Sequence, residues 1–206
     1  DTYTVSYGSK ITDGSITGTT AQTLTAFERS IPVIASPNTG FHFENWSDGS
    51  IENPRSDSAL YIDSTITANF KRKKYTLTVI LGTFDTIVQT LSHGQQYKAN
   101  TGTNARYVFT EWTATEGVTL THADSLEVHI TDITESATVT AHYTTPTFTM
   151  QYATSPGGSI VGELSQVVDY GMNISAIQAV PDSGYTFTSW SDGTTANPRT
   201  DVNVIT

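Results

Sequence analysis

The chain contains no cysteine. That absence excludes disulfides, thiolate metal sites and Cys nucleophiles together, and it fits an exported bacterial protein that avoids thiols. Cations are scarce: 10 Lys and Arg face 20 Asp and Glu in 206 residues, a formal net charge of −10. Such a balance argues against nucleic acid and anionic membrane as partners, because both need a cationic footprint. No run of 18 apolar residues occurs, so no membrane insertion through a spanning helix is expected. Nor does any window place apolar residues at i, i+3, i+4 and i+7 for three turns, which leaves no long helix. The first residue is Asp1 and no signal peptide is visible, as expected of a processed mature chain or an excised segment.

What is abundant is threonine, at 38 residues, joined by 10 tyrosines. Both favour pleated, half-buried surfaces over helices. The class is all-β. Three segments open alike, at Tyr3 ("YTVSYG"), Tyr75 ("YTLTVILG") and Phe148 ("FTMQYATSPGG"). Each reaches an aromatic stretch: "GFHFENW", "RYVFTEW" and "GYTFTSW", ending at Trp46, Trp112 and Trp190. The first two close with "TITANF" and "TVTAHY". All 3 tryptophans therefore fall at one place in a repeated unit. The units are assigned to residues 1–71, 72–145 (a drifted copy) and 146–206.

The basic run Lys71 to Lys74 and "TTP" (Thr144 to Pro146) are then short linkers that restrict the angle between units. Within unit one an opening strand is expected from Tyr3 to Tyr7, a turn at Asp13-Gly14, and a middle strand from Ile31 to Ala35 stopped by "SPNTG". Four or five short antiparallel strands per unit follow. Phe41 and Phe43 share one strand face, but Trp46 lies three residues on; a β-bulge would return it to the core.

"WSDGSIENPRSD" (Trp46 to Asp57) returns as "WSDGTTANPRTD" (Trp190 to Asp201), with eight of twelve positions identical. Asp48-Gly49 and Asp192-Gly193 are turn dipeptides. Asn53-Pro54 and Asn197-Pro198 set a second turn, with Pro fixing φ. Arg55 and Arg199 are placed to stack on the nearby Trp or to pair with Asp57 and Asp201. A calcium site at these carboxylates is the sharper alternative. Against it, no D-x-D-x-D-G run is present and an Arg in the loop repels a cation. Unit two has Trp112 but neither SDG nor NPR, so the loop is one solution among several. The five His (His42, His93, His122, His129, His142) show no paired metal spacing, and neither G-x-S-x-G nor a phosphate-binding glycine loop occurs. No cofactor and no catalytic residue are expected, and the chain is read as non-enzymatic.

The opening "YTV", the central "GY-x-F-x-x-WSDG-x-x-x-NPR-T-D" and the closing "T-x-T-A-x-F" resemble the divergent InlB B-repeat family. Units one and three match closely, and unit two keeps only "YVFTEW" and "TVTAHY". The resemblance implies small β-grasp-like domains in tandem, in large bacterial surface or secreted proteins, acting as a spacer, stalk or adhesin module. It implies an extracellular, cell-surface location and other domains of the same surface protein as partners.

After Trp190 no counterpart of "DSTITANF" (Asp63 to Phe70) follows, so unit three is expected to lack its last strand and to expose a sheet edge. Neighbouring copies are candidate partners through that edge, with "DTYTVSY" (Asp1 to Tyr7) as first donor, giving a self-assembling filament. A glycan- or protein-binding adhesin is the other alternative, with Tyr61, Tyr97 or Tyr152 clustered on one face.

Overall fold

Threonine-rich alternation gives strands throughout. The structure, a computed structural model, describes residues 1–58 and 61–205, and among them no helix occurs. Repeat one contributes β1 (Thr2–Ser9), β2 (Gly14–Thr17), β3 (Ala21–Thr25), β4 (Ile34–Pro37), β5 (Phe41–Trp46) and β6 (Ser64–Arg72). Repeat two contributes β7 (Lys74–Leu81), β8 (Asp85–Ser92), β9 (Tyr97–Asn100), β10 (Val108–Ala114), β11 (Thr119–Thr121), β12 (Glu127–Thr131) and β13 (Ala137–Thr144). Repeat three contributes β14 (Thr147–Gln151), β15 (Gly158–Val161), β16 (Ser165–Asp169) and β17 (Gln178–Pro181). The first two repeats thus exceed the four or five strands expected, because short pieces such as β2 and β11 each find a partner.

The main sheet of repeat one runs β3-β1-β6-β5, and that of repeat two runs β10-β13-β7-β8. Each puts the closing strand in the middle and pairs it parallel to the opening strand: Tyr7 lies opposite Ile66, and Val79 opposite Val139. The intervening residues of the repeat supply the crossover that a parallel pair needs. β2 and β4 form a separate antiparallel pair in repeat one, as β15 and β17 do in repeat three. In repeat three β14 pairs with β16 alone.

Alternation places Val5 and Tyr7 of β1 and Ile66 and Ala68 of β6 in one core with Leu24, Val33, Ala35 and Trp46. In repeat two Leu77, Val79, Trp112, Val128, Ile130, Val139 and Ala141 are all buried. Repeat three gathers Val168, Ile174 and Val204, with Phe148, Met150 and Tyr152 packed against them. By proximity the chain forms two compact units, Asp1–Asn100 with Trp112–Ala141, and Thr101–Glu111 with His142–Thr206.

Three local expectations are corrected. The basic run is hardly a linker: Lys71 and Arg72 end β6, Lys74 begins β7, and only Lys73 lies between. Likewise Thr144 belongs to β13, leaving Thr145 and Pro146 as the connection. The middle strand is Ile34–Pro37, not Ile31 to Ala35. Its first residues are diverted because the Ile31 N–H and C=O are both taken by the buried Gln22 side chain, at 2.7 and 2.9 Å. An amide side chain there replaces a strand.

Candidate functional site

The repeated loop begins where β5 breaks step. Its register against β6 shifts between Phe43 and Asn45, and the extra residue turns Trp46 back to the core face, where it is fully buried opposite Ala68. The Gly49 N–H then closes a tight turn onto the Trp46 carbonyl at 2.8 Å, with Gly49 at φ 88°. Gly193 repeats this turn at φ 87°, a region glycine enters freely. The indole Nε1–H donates to the Glu52 carbonyl at 2.7 Å. Its counterparts do the same, Trp112 to Ser125 at 2.9 Å and Trp190 to Ala196 at 2.9 Å. A buried indole N–H left alone would forfeit a hydrogen bond, so each loop caps its own tryptophan.

Asn53 does more than precede a proline. Its Oδ1 accepts from the Ala35 N–H at 2.9 Å and its Nδ2 donates to the Ala35 carbonyl at 2.8 Å, the pattern of a strand neighbour made by a side chain. Asn197 treats Ala179 identically. Both Asn53-Pro54 and Asn197-Pro198 are cis peptides, which sequence reasoning did not foresee.

Arg55 bonds through its backbone to Val33 in both directions, and its side chain is 7 % exposed. The guanidinium lies 5.4 Å from the Trp46 ring centre and is held by both carboxylates, with Nη1 on Asp48 at 2.8 Å and Nε on Asp57 at 2.8 Å. Stacking and pairing, posed as alternatives, occur together. Asp57 also accepts the Tyr7 hydroxyl at 2.6 Å, and that hydroxyl meets Ser30 Oγ at 2.9 Å. In repeat three Arg199 stands 5.6 Å from Trp190 and holds Asp192 and Asp201, and Tyr152 donates to Asp201.

The electrostatics follow from this geometry. Hydrogen bonds from Arg55 hold the Asp48 carboxyl down at about 2, and those from Arg199 hold Asp192 at about 2. Burial works to raise Asp57, but the bonds from Arg55 and Tyr7 outweigh it and leave it lowered. Burial and then the bond to Asp57 push the Tyr7 phenol up to about 12; Tyr152 rises to about 12 for the same reasons, with Asp201 as partner. Both arginines are held more firmly protonated than usual by their carboxylates.

Repeat two solves the same problem without charge. Arg55 faces Val33 and Arg199 faces Ile177, whereas Val128 faces Ala99. Two residues on, Asp57 and Asp201 become Ile130, and Tyr7 and Tyr152 become Val79. Val79, Val128 and Ile130 are each 0 % exposed. Trp112 still donates its backbone N–H, to Ala123 at 2.7 Å, as Trp46 does to Ser50 and Trp190 to Thr194.

The loop thus brings Trp46, Asp48 and Arg55 together, and again Trp190, Asp192 and Arg199, with Gly49 and Gly193 closing the turn and Asn53 and Asn197 tying it to Ala35 and Ala179. Tyr7 and Ser30 join it through Asp57, while Gln22 braces Ile31 beside it; the motif's spacing points to none of the three. The findable signal was their recurrence, since Tyr152 and Gln166 stand at matching places; Gln166 takes the Ser175 N–H and C=O as Gln22 takes those of Ile31. The carboxylate oxygens considered for calcium accept from guanidinium instead. His122 and His129 rings lie 4.7 Å apart and His129 meets Glu127 at 3.1 Å, but among the described residues no group of three or more metal-ligating side chains converges.

Repeat three differs in one respect. The stretch Tyr185 to Trp190, which matches β5, carries no ladder, and Trp190 is only half-buried. Between it and β14 lies an open groove of about 770 Å³ lined by Met150, Tyr152, Gly158, Phe187, Trp190 and Arg199. The proposed donor for that edge, Asp1 to Tyr7, is not free: β1 is central in its own sheet, with Val5 and Tyr7 buried. Of the three tyrosines considered for an adhesive face, Tyr61 is exposed and packs edge-on against Tyr3, while Tyr152 is half-buried beside Trp190.

Fold and loop define the class first: consecutive small β-sheet repeats, each organised around one capped indole. The model of the divergent InlB B-repeat domain matches residues 3–74, 75–147 and 148–206, and the chain belongs to that family. No curated protein and no solved structure matches it significantly.

Proposed function

We propose that the chain is a non-enzymatic spacer segment of a bacterial surface protein. The family suggests a bacterial surface repeat region, and no helix among the described residues is long and apolar enough to cross a membrane. The observation that carries the spacer role is how the repeated loop is used. Within each of repeats one and three, the side chains shared by both copies bond to their own repeat: Asn to a strand backbone, Arg to two Asp beneath the ring, indole N–H to a loop carbonyl. Repetition of such a loop repeats a fold, not a chemistry. Connections of one or two residues fit the same role, because they leave little slack between successive repeats.

Surface display with varied repeat number tests this. The chain is placed between a cell-wall anchor and a terminal tag, and binding of a bulky antibody to the tag is measured. Access should fall with each repeat deleted and recover when a repeat is duplicated, irrespective of which repeat is used. Access that depends on one particular repeat, or on its exposed loops, would replace the spacer role with adhesion.

A further inference from the structure

Repeats one and two meet at one residue. Lys73 lies between β6 and β7, and both of its backbone groups are engaged. Its N–H donates to the Gly40 carbonyl at 2.8 Å, which carries the β5–β6 ladder one step past the Phe41–Arg72 pair. Its carbonyl accepts the His93 N–H at 2.9 Å, which carries the β7–β8 ladder one step past the Lys74–Ser92 pair. Lys73 therefore belongs to both antiparallel ladders, and no residue is left between the two sheets to act as a swivel.

A side chain of repeat two then closes on repeat one. The His93 ring lies against the bare Cα of Gly40: a Cβ there would stand 2.2 Å from the imidazole Cδ2 and 2.6 Å from Cγ, closer than real Cβ contacts come. Tyr75 backs the ring, with centroids 6.0 Å apart. His93 Nδ1 is buried and has no hydrogen-bond partner among the described residues, so packing rather than a polar contact seats that edge of the ring. Gly40 also turns at φ 82°, as Gly184 does at 87°, and that backbone by itself favours glycine. The ring makes a second demand on Gly40 that the turn does not explain.

The same parts are not present where repeat two passes into repeat three. Counted back from Phe148 as Lys73 is from Tyr75, the shared position is Pro146; counted back from Trp112 as Gly40 is from Trp46, the bare position is Arg106. Pro146 accepts the Tyr170 N–H at 2.9 Å, as Lys73 accepts that of His93. Proline has no N–H to give to the preceding strand, and Arg106 carries a side chain where Gly40 carries none.

We propose that Gly40 is a positioning residue for the repeat that follows it: bare backbone at Gly40 admits the ring of His93, and with Lys73 shared by both ladders this contact holds repeats one and two in a single orientation. Stiffness at this junction belongs to named groups and not to the shortness of the connection alone. This goes beyond the spacer role, which is decided separately by repeat number.

Residual dipolar couplings of the full chain in a weakly aligning gel test this, read from amides of β1, β3 and β6 for repeat one and of β7, β8 and β12 for repeat two. One alignment tensor should fit both sets. In Gly40→Ala the methyl group expels the ring, so each set should still fit alone but the two should no longer share a tensor. His93→Ala leaves the turn at Gly40 untouched and should lose the shared tensor as well, which keeps the test decisive if Gly40→Ala disturbs its own repeat. Adding Gly40→Ala to His93→Ala should change the orientation no further, because the ring that the methyl group would strike is gone. Wild-type couplings that need two tensors would overturn the proposal, as would retention of the wild-type orientation by either single variant. So would a further change of orientation in the double variant, which would trace the effect of Gly40→Ala to its turn and not to the ring.

Discussion

At the scale of single residues, the tryptophan and its cap carry the most weight. Trp46 is fully buried, makes edge contacts to Tyr7 and Phe43, and has its N–H satisfied. Trp46→Ala is expected to cost about 3–5 kcal/mol, read as a drop in the urea midpoint of the transition that involves repeat one. Trp190→Ala should cost clearly less, because that ring is half-buried. A second residue prediction concerns Phe27. Counting from the residues that face Tyr3, Tyr75 and Phe148, Phe27 occupies the position held by Gly94 and Gly171. All three have positive φ, at 75°, 72° and 78°, and Phe27 is 82 % exposed. A bulky side chain in that region is strained. Phe27→Gly should therefore raise stability by roughly 0.5–1 kcal/mol, and a loss of stability would mean the ring packs on something that offsets its strain. These residues differ in how readable they were. Trp46, Asp48 and Arg55 stand within one short motif, so spacing exposed them. Tyr7 and Gln22 lie far from it in sequence, and only their recurrence as Tyr152 and Gln166 connects them to it.

Among elements, the Arg–Asp–Tyr cluster of repeat one and the Val–Ile–Val cluster of repeat two are two fillings for one space. Removing one member of a buried charged set leaves its partners without compensation, whereas replacing the whole set by apolar groups is often neutral or stabilising. Arg55→Val alone is accordingly expected to destabilise repeat one by about 2–3 kcal/mol, discounted from a fully buried pair because Asp48 is half exposed. The combined change Tyr7→Val, Arg55→Val and Asp57→Ile, copying Val79, Val128 and Ile130, should recover most of that loss. Thermal denaturation of the two variants decides it, and a triple variant less stable than Arg55→Val would show that the two clusters are not equivalent. The all-β class, the repeats and the bulge before Trp46 were legible because hydrophobic alternation and its one broken step are local. The parallel pairing of β1 with β6, and the diversion of the middle strand by Gln22, were not. Both depend on residues distant in sequence, where no periodic signal reaches.

The whole molecule inherits this division of chemistry between repeats as a division of acid sensitivity. Asp48 and Asp192 ionise at about 2 in the folded chain, and Asp57 and Asp201 are also lowered. An unfolded Asp binds its proton near about 3.9. As pH falls, the unfolded chain therefore takes up protons first. The stabilisation from these carboxylates is complete above about 4 and is lost as pH drops towards about 2. Repeats one and three carry such carboxylates against an arginine. Repeat two has valine and isoleucine there, and nothing in its equivalent cluster titrates. The 3 indole N–H signals of the proton spectrum report one repeat each. Between about pH 4 and pH 2, the Trp46 and Trp190 signals should move to unfolded positions before that of Trp112. Repeats one and two are also joined through Lys73, whose N–H donates to Gly40 at 2.8 Å and whose carbonyl accepts from His93 at 2.9 Å. That junction should draw Trp112 part of the way with Trp46 without reversing the order. Simultaneous loss of all three signals would mean that the junctions, not the cluster beneath each indole, set the acid limit of the chain.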